Sequence, residues 1–243
     1  MKILNFSNRN FKEIIRDPLS IIFAIVLPLF LLFIFEQFNI PNDNYKIENF
    51  TPGVIIFSLS FITLFTSMLI SSDRKTSLLI RLGVSPMKSI DYILGYILSL
   101  IPIVVIETIL LFILAIILGL NFSIYIIYAL LISVIISILF ISLGIIIGSI
   151  FSEKASSGIS SIILQLVIFT SGMYFQKELL GNFFKNLCNI LPFESTLIII
   201  KGITNNNLSS IKVYNIVIFL IYLLLSIILS ILIFNKNMLN NDN

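Results

Sequence analysis

From Tyr92 to Phe151 the chain carries one charged residue, Glu107. An apolar stretch of that kind has no soluble solution, because a domain of this size leaves much of its chain at the surface. It has a membrane solution: an apolar helix of about 20 residues crosses the hydrocarbon with its backbone groups bonded internally. The stretch divides at Gly119–Ser123, a short uncharged turn, into runs at Tyr92–Leu118 and Ile124–Phe151, which predicts a helical hairpin. Both runs are longer than a perpendicular crossing needs, so they tilt or project beyond the hydrocarbon. Further runs lie at Leu19–Phe35, Gly53–Ser71, Gly158–Phe175 and Val213–Phe234. The expected fold is an all-α integral membrane protein, a single transmembrane domain over 1–243 with six spans.

Composition agrees. Of 243 residues 58% are hydrophobic and 11% charged, where soluble domains carry about 25% charged. The net charge of +3 comes without a basic run, so no nucleic acid partner is expected. Few arginines and many Ile and Asn fit the bias of an AT-rich bacterial genome.

Loop charges orient the spans. The N-terminus holds Lys2, Arg9, Lys12 and Arg16, and the second-to-third loop holds Arg74, Lys75, Arg81 and Lys88. The first loop, Glu36–Pro52, has three acids against Lys46. By the positive-inside rule both termini are cytoplasmic. The segment Gln176–Lys212 runs mildly against this, with Lys177, Lys185, Lys201 and Lys212 against Glu178 and Glu194. Leu19–Phe35 has no small-residue cleavage site behind it and reads as a retained span.

Three segments outside the spans are expected to be structured. Phe6–Arg16 groups Phe11, Ile14 and Ile15 on one face, as in a helix lying along the inner membrane surface. Asp17 and Pro18 break it. Leu179–Leu191 repeats apolar residues at helical spacing, is too short to span, and ends at Pro192; a second short helix follows from Phe193 to Gly202.

Chemistry-bearing patterns are absent. None of the ten glycines precedes a lysine, so no phosphate-binding P-loop exists here. Histidine is missing, which removes imidazole acid–base work and the common zinc ligand sets. Cys188 is the lone cysteine and forms no intrachain disulfide. No catalytic, cofactor or metal residues are expected, and the chain is not expected to be an enzyme. Glu107 lies near the middle of its span, where an acid costs about 2.5–3.5 kcal/mol on insertion scales. It either lines a substrate path or subunit interface, or is a neutral carboxyl bonded to a neighbour, with Thr108 or Gln165 as candidate partners. Gly144 and Gly148 form a Gly-x-x-x-Gly pattern that allows close helix packing.

The second loop reads DRKTSLLIRLGVSP from Asp73 to Pro86, then MKSID to Asp91. It resembles the type-2 ABC exporter permeases, which carry an acid–Arg pair, a Gly-Thr step, a Leu, an Arg-Leu and a Ser/Thr-Pro in that order. Asp73, Arg74, Leu78, Arg81, Leu82, Ser85 and Pro86 match, while Thr76 and Ser77 replace Gly-Thr. Arg16–Pro18 resembles the family's approach to its first span. Ser171–Phe175, Leu191–Phe193 and Lys201–Gly202 follow its order between spans five and six, where Gln176 and Leu180 replace common prolines.

The resemblance implies a transmembrane half that pairs with a second half, identical or different, and with two copies of a separate ABC ATPase. It implies an elbow helix at 1–18, a cytoplasmic coupling loop at 73–91 and an external re-entrant segment at 176–212. Thr76–Ser85 would be a short coupling helix seated in the ATPase, with Asp73, Arg74, Lys75 and Arg81 supplying charged groups there. Phe175, Phe183, Phe184 and Pro192 would form an outer gate, and Glu107 and Gln165 would serve the pathway or interface. The implied activity is export of an amphipathic or hydrophobic compound, such as a drug, peptide antibiotic or lipid, from a bacterial cytoplasmic membrane. A lipid-linked glycan exporter, a secondary transporter using Glu107, and a non-transporting immunity or anchor protein are the alternatives. Plain topology-setting positives, juxtamembrane anchoring and a structured external loop are the simpler readings of the three segments.

Overall fold

The computed structural model describes residues 2–38, 42–76, 88–175 and 181–239, and every regular element among them is helical. α1 (Lys2–Arg16) buries Phe6, Ser7, Asn10 and Ile14 and exposes Lys12 and Arg16; of the face expected from its spacing, Ile14 is buried and Phe11 half-buried, while Ile15 is exposed. It stops before Pro18, whose ring disfavours helical geometry at Asp17. The first apolar run then comes in pieces: α2 (Pro18–Ile21), a π-helical turn (Ile22–Val26) and α3 (Leu27–Gln37). Pro28 supplies the reason. It has no N–H for the Ala24 carbonyl, and the ladder widens just before it, where the Leu27 N–H bonds to the Ile22 carbonyl.

α4 (Ile47–Lys75) is the central helix: 89% of its apolar window is buried, against 22% for the last helix. It is rich in hydroxyls, and most are satisfied locally. Thr51, Ser58, Ser60, Thr66 and Ser71 each donate to a carbonyl of α4 itself, which lets a polar side chain sit in an apolar interior. Thr63 instead donates to the Phe140 carbonyl at 3.0 Å, and Ser67 shares a 2.7 Å bond with Ser160.

α5 (Ser89–Ile117) and α6 (Tyr125–Ile150) form the expected hairpin. Gly119 sits at φ +115°, the Leu120 N–H bonds to the Ala115 carbonyl and the Gly119 N–H to the Ile116 carbonyl. This is a Schellman cap, and only glycine takes that conformation without strain. α6 packs on α4 through its glycines: a Cβ on Gly144 would lie 2.7 Å from the Thr63 carbonyl oxygen, and one on Gly148 would lie 2.6 Å from that of Ser67.

α7 (Glu153–Thr170) follows, then α8 (Asn182–Ile190), α9 (Pro192–Thr204) and α10 (Val213–Phe234). α8 and α9 meet at a 67° bend. Leu191, ahead of a proline, is held extended. Pro192 does not merely end one helix; it opens the next, at a position where its missing N–H costs nothing. Among the described residues α4, α5, α6 and α10 are long and apolar enough to cross a membrane, and the bent α8–α9 pair would make a fifth. The apolar helix of the first run, Ile22–Gln37, is shorter than these, and α7 opens on Glu153 and Lys154.

Candidate functional site

Three consecutive side chains at the end of α4 hold four neighbouring elements. Asp73 is 1% exposed. One of its carboxylate oxygens accepts from the Arg9 guanidinium of α1 at 2.7 Å, and the other accepts from the Tyr96 hydroxyl of α5 at 2.8 Å. Arg9 also pairs with Glu13, one turn along α1, at 2.6 Å. Burial disfavours charge on Arg9, but the bond to Asp73 and the nearness of Asp73 and Glu13 outweigh it and raise its pKa. Burial raises Glu13 despite the pull of Arg9.

Aromatic packing seats α1 for these bonds. The Phe6 ring meets Tyr92 and Tyr96 edge-on, at centroid distances of 5.5 and 5.0 Å. It lies over Gly95, where an added Cβ would collide with the ring. The absent side chain is therefore what admits α1 so close to α5.

Arg74 turns to α6. Its two terminal nitrogens donate to the carbonyls of Ser149 at 2.8 Å and Phe151 at 2.7 Å. Carbonyls at a helix C-terminus lack intrahelical partners, and a cation is favoured there. Lys75 reaches Glu153, in the first turn of α7, at 3.1 Å. Asp73 thus ties α1 and α5, Arg74 ties α6, and Lys75 ties α7. Of the residues expected to couple to an ATPase, these three come together in a junction within the chain. Leu78, Arg81, Leu82, Ser85 and Pro86 lie outside the described residues.

Glu107 and Gln165 are not brought together. Glu107 is 1% exposed within the interior of α5, near the Ser58 hydroxyl of α4, and neither carboxyl oxygen has a well-formed hydrogen bond among the described residues. The two partners suggested by sequence are both engaged elsewhere or remote: the Thr108 hydroxyl donates to the Val104 carbonyl at 2.6 Å, and Gln165 lies on the exposed face of α7. The aromatic residues expected at an outer gate fall into separate pairs. Phe175 stacks on Phe169 at 6.2 Å, and Phe183 meets Phe184 edge-on at 5.5 Å. Pro192 is buried, beside a Phe193 stacked on Phe140 at 6.0 Å.

Comparison with known families decides the context of this junction. The profile of the ABC-2 type transporter family matches residues 2–205, from α1 to the turn after α9. The chain belongs to the ABC-2 type transporter family. No curated protein matches it. An ABC-2 permease is a transmembrane, non-catalytic subunit of a transporter, and the family normally works with an ABC ATPase. This permease is accordingly a multi-pass membrane protein. In it Arg9, read from the sequence as an orienting positive, and Tyr96, which the sequence had not singled out, are functional candidates. The one visible signal for Tyr96 was its pairing with Tyr92, four residues away and so on one face of α5.

Proposed function

We propose that the chain is the membrane half of an ATP-driven exporter moving an amphipathic or hydrophobic compound out of a bacterial cell. It pairs with a second permease half and with two copies of a separate ATPase. The observation that carries the reading is the junction of Asp73, Arg74 and Lys75. It stands one residue ahead of the 77–87 segment, in the position of the family's coupling loop, and joins that segment's root to α1, α5, α6 and α7 at once. A force applied to the loop reaches four elements through direct bonds, which is what conversion of ATPase motion into permease motion requires.

In this reading the chain crosses the cytoplasmic membrane six times, with α2–α3 as a short first span and α7 as the fifth. Both termini are cytoplasmic, α1 is the interfacial elbow, and the α8–α9 bend dips into the outer leaflet. The exposed face of α7, with Ser161 and Gln165, supports a role toward the pathway or the second half, since lipid tolerates an exposed amide poorly. Glu107 sits buried inside the half and is assigned no part in the pathway.

The test is ATP-dependent uptake of a fluorescent amphipathic compound into inside-out vesicles holding the permease and its ATPase. Arg81→Glu should abolish uptake and co-purification of the ATPase while the chain still inserts. Uptake that needs no ATP, or that Arg81→Glu leaves unchanged, would overturn the proposal.

A further inference from the structure

At the end of the bundle opposite α1, three separate segments line an open cup of about 260 Å³. Glu48 enters from the first turn of α4, Asn121, Ser123 and Tyr125 from the α5–α6 hairpin, and Asn205 and Asn206 from the turn after α9. The walls are held by the backbone. The hairpin is the Schellman cap at Gly119. The turn after α9 is a second one, in which the Asn207 N–H bonds to the Gly202 carbonyl at 2.8 Å and the Asn206 N–H to that of Ile203 at 3.1 Å. Asn206 takes φ 51° there, a left-handed conformation that asparagine tolerates better than most residues. A cross-link between segments closes the rim, where the Asn205 amide donates to the Asn49 side-chain oxygen at 3.2 Å.

The lining is rich in acceptors and carries one sign of charge. No lysine or arginine is among the described residues that line it. Two helix C-termini and two helix N-termini meet at this end, so their dipoles oppose one another and Glu48 sets the sign. Glu48 is exposed and makes no ion-pair contact among the described residues; Lys46, two residues away, feels its charge but is bound to Asp43 at 2.6 Å. Asn121, Ser123, Asn205, Asn206 and the half-buried Tyr125 complete the lining. A phosphate or carboxylate would find no lysine or arginine in the lining. A metal ion would find one carboxylate and a space far larger than the roughly 30 Å³ of a single water. A primary ammonium group on a small polar body fits. Its three N–H donors match a carboxylate and amide oxygens, and its charge is favoured by the face of an aromatic ring.

The geometry points to a binding site for a primary ammonium group, lined by Glu48, Asn121, Ser123, Tyr125, Asn205 and Asn206. The group comes from the headgroup of an ethanolamine lipid or from free amine in solution. A choline headgroup carries the same charge but has no N–H to donate, so the cup discriminates against it. This inference stands apart from the transport reading and is tested without transport.

The full chain, purified in detergent micelles, is titrated with phosphatidylethanolamine, phosphatidylcholine and free ethanolamine. Retained lipid is counted by native mass spectrometry and the melting temperature is followed. Phosphatidylethanolamine should be retained about tenfold over phosphatidylcholine, the order expected of charge-assisted hydrogen bonds, and Glu48→Gln should erase the preference. If both lipids are retained equally but ethanolamine raises the melting temperature in the parent and not in Glu48→Gln, the site holds and its ligand is the free amine. Should Glu48→Gln fail to fold, Asn121→Leu, on the exposed hairpin, carries the same comparison. No response to any amine, a preference that survives both variants, or stabilisation by calcium or glucose in place of ethanolamine would each overturn the inference.

Discussion

The Arg9 guanidinium and the Asp73 carboxylate lie 2.7 Å apart although 64 residues separate them in sequence. Asp73 is buried, and Arg9 is its counter-charge. The bond fastens the amphipathic N-terminal helix to the end of the central one. In the transport reading proposed above, α1 is part of the moving machinery as well as a surface anchor.

Removing Arg9 leaves a buried carboxylate without its counter-charge, which typically costs about 3–5 kcal/mol. Arg9 is part-exposed, so Arg9→Met is expected at the lower end of that range. Neutralising the whole set in Arg9→Met/Asp73→Leu/Tyr96→Phe should recover most of the loss. Thermal unfolding in detergent checks both variants, and additive losses in the triple variant would refute the coupling.

Arg74 satisfies two carbonyls at the end of α6 with one planar group. Arg74→Ala should destabilise the chain by about 1.5–3 kcal/mol, the worth of hydrogen bonds from a charged donor. Arg74→Lys should recover only part of this, because an ammonium cannot present the same fork. Melting temperatures that rank lysine equal to arginine would show that charge alone matters at this position.

Two glycines on neighbouring helices give opposite expectations. A methyl on Gly148 meets the α4 backbone, so Gly148→Ala should cost about 1–3 kcal/mol through overpacking. Nothing lies within 4 Å of a Cβ on Gly158, so Gly158→Ala should be neutral or stabilise by up to about 1 kcal/mol through helix propensity. Equal losses in the two variants would contradict the α4–α6 packing.

Glu107 offers a sharper case. Neither carboxyl oxygen has a well-formed hydrogen bond among the described residues, and the neighbouring Ser58 hydroxyl already donates to the Ile55 carbonyl, so Glu107→Leu leaves no donor stranded and removes a desolvated group. It should unfold at an equal or higher temperature than the parent, with Glu107→Gln close to the parent. A loss of more than about 2 kcal/mol in the leucine form would reveal a bond to a polar neighbour.

Much of the architecture was legible because apolar length is a strong signal in a chain whose solvent is lipid. The run Val213–Phe234 coincides with α10, and Gly119 announced the hairpin turn. Rotation about each helix axis was not legible. α5 is apolar nearly all round, so no stripe indicates which side faces protein. This is why Thr108 and Gln165 were natural but incorrect partners for Glu107. The Arg9–Asp73–Tyr96 contact was hidden for a related reason. Each residue has a sufficient local explanation, as a topology-setting positive, a loop acid or an interfacial aromatic, and only the fold brings the three within bonding distance.

The hydroxyls of α4 have a mechanical consequence. Because most bond back to their own helix, α4 presents largely methyl and methylene surface to its neighbours, and Thr63 and Ser67 bond its middle to α6 and α7. The far end is clamped by Asp73, Arg74 and Lys75. In the transport reading proposed above, α4 acts as a torsion bar: gripped at one end, held along its shank by close packing on α6 more than by bonds, and able to pass a twist to its neighbours while few hydrogen bonds break along the way.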